Sequence, residues 1–230
     1  MTVSTVLVYD AIGSNFGHLP AGDAAGYVTG SDGVPWTAQQ FTEKPGAVRI
    51  DQTPAGTVWD ATADVDDFEN GAVGLSELAP RASARMAAYA TGARPGQRSP
   101  VIYCSRSDVT EVVNALIAGG VTRGVGLWIA DWTNDEASAQ AEVAAGSGPF
   151  PVVGRQFRND GTYDTSVFSQ AWLGAVSAAP APVGKPQVPP GQWLDPRAWT
   201  WRAATITGQG LNGIMYTFTY NTTTGQWQKA

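Results

Sequence analysis

One cysteine and one histidine are all that this chain of 230 residues has of two of the most versatile catalytic side chains. Cys104 has no partner for an internal disulfide. It sits in the apolar run Pro100-Val101-Ile102-Tyr103-Cys104, where a small buried side chain is expected rather than a nucleophile. His18 lies in a Gly/Pro-rich loop with no second His and no Cys nearby. That argues against a His-based metal site and against a His-dependent nucleophilic triad, so most protease and esterase chemistry is set aside. Charge is scarce as well: 15% of residues are charged and the net charge is −6. A phosphate-binding surface must be basic, so nucleic acid is not an expected partner. No apolar run approaches the roughly 20 residues that cross a bilayer, and no membrane insertion is expected. The start, Met1-Thr2-Val3-Ser4-Thr5-Val6-Leu7-Val8, has no basic region and moves straight into a strand pattern, so no signal peptide is expected. No Gly-x-Gly-x-x-Gly follows a strand, which removes an oxidoreductase of that kind. Neither a cofactor nor a metal is expected.

Carboxylates remain. Hydrophobic content of 43% and nine Trp exclude a mainly disordered chain, and the length allows one substantial core plus an appendage. Ala63-Asp64-Val65-Asp66-Asp67-Phe68-Glu69 reads as a strand that ends in acids. Residues two apart in a strand point the same way, so Asp67 and Glu69 project together with Cβ atoms roughly 6–7 Å apart. Two carboxylates at that spacing can bracket one reacting bond. By alternation Asp66 points away from them, and Asp64 opens the strand.

Acids or amides recur at the ends of other apolar runs: Asp10 after Thr5–Tyr9, Asp51 after Ala47–Ile50, Asp131 after Gly126–Ala130, and Gln156 in Pro151–Phe157. Between these runs lie helical patterns. One covers Pro35–Phe41; one runs from about Gly74 to Thr91 with the stripe Leu75, Leu78, Ala82, Met86 and Tyr89; one follows an Asp108-Val109-Thr110-Glu111 capping-box form; one covers Asp135–Ala145. Strand–helix alternation at this spacing implies a mostly parallel sheet with crossover helices. Acids spread over so many strand ends fit a barrel better than an open sheet, because a barrel gathers those ends on one face. About 172 residues is short for eight full β/α units, so missing or vestigial helices are expected. The expectation is an α/β chain: a short, irregular TIM-like β/α barrel over residues 1–176, a Pro-rich linker over 177–191, and a small aromatic β-appendage over 192–230. The appendage has alternation in Ile214–Tyr220 and a turn at Asn221–Gly225 that returns to Gln226-Trp227.

The combination resembles the family-25 glycoside hydrolases, the lysozyme-like muramidases of phage endolysins and bacterial wall remodelling, in a divergent actinobacterial or actinophage branch. The resemblance rests on Asp10, Asp67-Phe68-Glu69, the run Trp128-Ile129-Ala130-Asp131-Trp132, Gln156-Phe157 and Gly161-Thr162-Tyr163-Asp164, in the right order over about residues 5–173. Eleven Arg against three Lys, with high Ala and Gly, suits a high-GC genome. The first strand lacks the family's Gly-x-Asp-x-Ser start, Arg155-Gln156-Phe157 stands for its Trp-Gln-Tyr segment, and Asp164-Thr165-Ser166 stands for its Asp-x-Asn.

The resemblance implies a bacterial cell-wall glycan as partner and a chain working in a phage virion or at the cell wall. It implies Glu69 as general acid with a raised pKa and Asp67 as its orienting or charge-stabilising companion. Asp10, Asp131 and Asp164 would position water or the substrate amide, and Asp51 and Gln156 are further substrate-side residues. Tyr103, Trp128 and Trp132 would give flat walls for sugar rings. The rival expectation is a non-catalytic virion or cell-surface protein that uses a degenerate barrel to bind glycan or as a spacer, joined to other virion proteins through the tail.

Overall fold

The computed structural model describes residues 3–30, 34–69, 73–145 and 148–176, with strands at 200–202, 205–209, 215–221 and 226–229. Contacts divide the chain into two units, Met1–Pro180 and Ala181–Ala230.

In the first unit, eight strands close a barrel in chain order: β1 (Thr5–Ala11), β2 (Asp23–Thr29), β3 (Val48–Asp51), β4 (Val65–Asp67), β5 (Val101–Ser105), β6 (Gly126–Ala130), β7 (Val152–Asn159) and β8 (Asp164–Ser169). Neighbours from β1 to β7 are parallel, whereas β8 runs antiparallel to both β7 and β1. The barrel is therefore mixed. The cause is local: the link from Asn159 to Asp164 is far too short for the crossover that a parallel pair needs. Gly161 takes φ +82° there, its N–H donates to Asn159 Oδ1 at 2.7 Å, and Asp160 N–H donates to the Tyr163 carbonyl at 3.0 Å.

Helices α1 (Ala38–Glu43), α2 (Leu75–Thr91), α3 (Val109–Ala118) and α4 (Glu136–Ala145) join successive strands, and α5 (Gln170–Gly174) follows the last. A 3-10 turn over Gly13–His18 takes the place of a helix between β1 and β2. The capping box stands at α1, where Thr37 and Gln40 cap each other reciprocally. At α3 the expected box does not form, because the Asp108 carboxylate instead accepts from the Ser105 and Ser107 hydroxyls at 3.0 and 2.9 Å.

Strand alternation splits the apolar residues between two cores. Inside the barrel lie Val8, Ala25, Val48, Ile50, Val65, Val101, Trp128 and Phe168. Between the barrel and α2/α3 lie Ile102, Cys104, Leu127 and Ile129 with Leu78, Ala82, Val112 and Leu116. The interior is an aromatic column in which Tyr103 meets Trp128, Trp128 meets Phe168, and Phe168 stacks on Trp172, at centroid separations of 4.8, 4.8 and 5.4 Å. Gly154 is required beside it, since a Cβ would run into the Phe168 and Trp128 rings.

Helix α2 departs from the expected stripe. Leu78 and Ala82 are buried as expected, but Arg81 and Arg85 are buried with them, and Leu75 and Met86 are only partly covered. The Arg85 guanidinium donates from Nε and Nη2 to both Asp66 oxygens at 2.8 and 2.7 Å, from Nη2 to Asp51 Oδ2 at 2.9 Å, and from Nη1 to the Asp60 carbonyl at 2.6 Å. Arg81 pairs with Glu77 at 2.7 Å. The Trp59 ring lies 5.4 and 5.3 Å from the two guanidinium carbons.

In the second unit, β9 (Thr200–Arg202), β10 (Thr205–Gln209), β11 (Met215–Asn221) and β12 (Gln226–Lys229) form an antiparallel sheet in the order β12-β11-β10-β9. The β11–β12 pair matches the expected appendage, and two more strands extend it. The Pro-rich stretch 177–191, Trp193, Trp199 and the turn at 222–225 lie outside the described residues. Among the described residues no helix is long and apolar enough to cross a membrane.

Candidate active site

Because Val8, Val65, Val101, Ala25 and Phe168 face the barrel interior, the residues two or four positions along each strand face it too. That rule carries Asp10 of β1, Tyr27 of β2, Asp67 of β4, Tyr103 of β5 and Asp164 of β8 to the same end of the barrel. The parallel strands finish at that end, and the reversed β8 begins there. Asp10 and Asp164 are direct partners across the β1–β8 seam, and Asp67 is beside Tyr103 across β4–β5.

Glu69 follows Asp67 by two residues, and its backbone N–H donates to Asp67 Oδ1 at 2.8 Å. That turn fixes one carboxylate against the start of the other's residue. The Tyr103 hydroxyl donates to Gln156 Oε1, and Trp128 Nε1–H donates to the Ser166 hydroxyl at 3.1 Å.

Electrostatics tie the acids into one group. Burial pushes the Asp10 carboxyl well above its ordinary value, and the charges of Asp164, Asp67 and Glu69 push it further. Asp164 is pushed up to about 6, first by burial and then by Glu69 and Asp160, with the nearby Gln156 amide opposing the shift. Burial, aided by the same carboxylates, also raises the Tyr27 and Tyr103 phenols and keeps them neutral. Asp10 is 4% exposed, and its Oδ1, like Asp164 Oδ1, has no hydrogen-bond partner among the described residues. Both acids line a cavity of about 180 Å³ together with Asn15, Tyr27, Asn159 and Tyr163. The Tyr163 ring is held edge-to-face on Tyr9 at 5.8 Å.

Two expected site residues stand elsewhere. Asp51 is at a strand end, but Val48 and Ile50 take the interior of β3, so Asp51 faces outward and is fully buried. Its carboxylate accepts from the Thr29 and Thr53 hydroxyls, from the Thr53 and Asp60 N–H groups at 3.0 and 2.7 Å, and from Arg85. Burial would raise its pKa, but those hydrogen bonds and Arg85 outweigh burial and lower it. Asp131 lies just past β6 in an ion cluster with Arg155 at 2.8 Å and Arg106 at 3.2 Å, where Glu142 joins the same two arginines. Trp132 follows it on a loop and is 53% exposed. Trp128 is sealed in the aromatic column, so it floors the barrel interior instead of offering a free wall.

Sequence reasoning overlooked Tyr27, Ser166, Asn15 and Asn159. Tyr27 was readable from its alternation with Ala25, and Ser166 from its place two residues after Asp164. The two asparagines lie in connections that carry no periodicity. Among the described residues no three His, Cys, Asp or Glu side chains are grouped to hold a metal ion. Comparison of the chain with protein-family models, with curated proteins and with solved structures gives no match.

Proposed function

We propose that this chain is a peptidoglycan-directed glycoside hydrolase of the muramidase type, family-25-like, built on a short TIM-like barrel. The observation that carries the reading is the electrostatic grouping of Asp10, Asp67, Glu69 and Asp164 around the Tyr27 and Tyr103 phenols at one end of the barrel. Such a group can hold one carboxyl protonated beside ionised neighbours, which glycosidic cleavage requires. Glu69 is the general acid that protonates the leaving oxygen. Asp67, tied to the Glu69 backbone, stabilises positive charge developing at the sugar carbon. Asp10 and Asp164 orient the attacking water or the substrate amide, and the exposed Trp132 ring offers a stacking surface for a sugar at the rim. The partner is bacterial wall glycan, met at the cell wall or from a phage virion.

Reducing-end release from purified peptidoglycan tests this reading. Glu69→Gln is expected to lower the rate by about 10²–10⁴-fold, the usual weight of a positioned general acid. A variant that clears wall as fast as the native protein would remove Glu69 from the chemistry.

A second reading is favoured by the size of the cavity. Its 180 Å³ falls below the roughly 300–1,000 Å³ of ordinary ligand pockets. That suits a non-catalytic glycan-binding or spacer domain of a virion or cell surface, with the second unit serving assembly. Glycan retention without any release of reducing ends would select it.

A further inference from the structure

The cavity between β1, β2 and the β7–β8 turn has an unbalanced charge. Asp10 and Asp164 line it with an unpartnered Oδ1 each, and both oxygens are buried. Among the described residues, the charged groups that push Asp10 up are carboxylates: Asp164 from β8, and Asp67 and Glu69 from the end of β4. Among the described residues, the other faces contribute the neutral groups Tyr27 from β2, Tyr103 from β5 and Gln156 from β7. The cations of the neighbouring strand are committed elsewhere, Arg155 to Asp131 and Glu142 and Arg158 to Asp160. A buried, unpaired acceptor costs free energy until a donor reaches it, and clustered carboxylates repel until a positive charge or a proton intervenes. Donor and positive charge together describe an ammonium group.

We infer that this cavity is a subsite for a primary ammonium group, carried on an amino sugar that lacks its acetyl group. The choice of sugar as carrier rests on the glycan-directed reading above; the ammonium itself rests on the cavity. One ammonium can donate to Asp10 Oδ1 and Asp164 Oδ1 at once, and charge-assisted bonds of this kind are the strong ones. An acetylated nitrogen can still be oriented through its one N–H, but it carries no charge, so the two carboxylates hold it more weakly than an ammonium.

Calorimetric titration of the full chain with the glucosamine tetramer and with the N-acetylglucosamine tetramer, near neutral pH, tests this. The free-amine tetramer is expected to bind at least about tenfold more tightly, a difference of roughly 1.4 kcal/mol. Asp10→Asn and, independently, the more exposed Asp164→Asn should each reduce that preference severalfold while the variants keep the native circular dichroism spectrum. Equal binding, or tighter binding of the acetylated tetramer, overturns the inference. Binding of a lysine-bearing wall peptide with none of the glucosamine tetramer overturns the sugar as carrier. The wall-digestion assay separates the two proposals. Digestion of acetylated and de-acetylated walls at one rate, with no binding preference, removes the ammonium subsite and leaves the hydrolase. A clear preference for the free amine without any digestion keeps the subsite and removes the hydrolase.

Discussion

Asp10 and Asp164 hold their protons more tightly in the folded chain than in the unfolded one, because burial and neighbouring carboxylates disfavour their charged forms. A raised folded pKa stabilises the fold fully below the unfolded pKa, and that stability is lost as pH rises through the folded one. For Asp164 the window runs from 3.8 to about 6. The interval would be worth roughly 3 kcal/mol in a sealed site, and solvent around this half-buried carboxyl reduces it to on the order of 1 kcal/mol. Asp164→Asn is therefore expected to stabilise the barrel at neutral pH, with the advantage vanishing on acidification toward pH 4. Urea unfolding of both proteins across that range checks it, and a constant difference would remove Asp164 as the source. Asp51 behaves oppositely. Its folded pKa is lowered, so its contribution is present above the unfolded pKa and is lost only as pH falls through the folded value.

At the scale of the element, α2 decides how the barrel wall is held. Arg85 neutralises Asp66 and Asp51, both fully buried, so Arg85→Met removes the guanidinium that bridges two buried carboxylates and leaves their charge poorly compensated. The expected cost is about 3–5 kcal/mol, read as a fall in the denaturant midpoint. A change under about 1 kcal/mol would mean the carboxylates find water or protons cheaply. The position of α2 was legible from its apolar stripe, yet its buried face was not, because arginine counts as polar in any periodicity. The acids at strand ends were legible as a set. Assigning Asp51 to the site needed one further step that the pattern contains: Val48 and Ile50 claim the interior, so Asp51 must face out. The reversal of β8 was also written in the chain, in the five-residue turn Asn159–Tyr163 with Gly161 inside it, but only loop length reveals it.

For the whole molecule, barrel closure uses only residues between Thr5 and Ser169. Removing 181–230 is accordingly expected to leave the barrel's thermal midpoint within about 3 °C and, under the proposed hydrolase reading, to leave wall digestion intact, while any assembly role is lost. Unfolding of the truncated chain would mean that the second unit completes the core. The aromatic alternation of Met215–Tyr220 made one hairpin of that unit readable. The strand Thr205–Gln209 was not, since Ile206 is its only large apolar residue and Gly208 breaks the pattern.

The β1–β8 seam has a further consequence for how the protein comes into being. Asp10 is in the first barrel strand and its partner Asp164 is in the last, so the two halves of the site meet only after nearly the whole barrel sequence has been translated. Contacts this distant along the chain form late and slowly. A nascent or prematurely terminated chain therefore carries strands and helices but no assembled cluster of acids. Supplied as a separate peptide, β8 could only restore the site by completing the cylinder. Under the hydrolase reading proposed above, the order of synthesis itself is the safeguard against an untimely wall-active fragment.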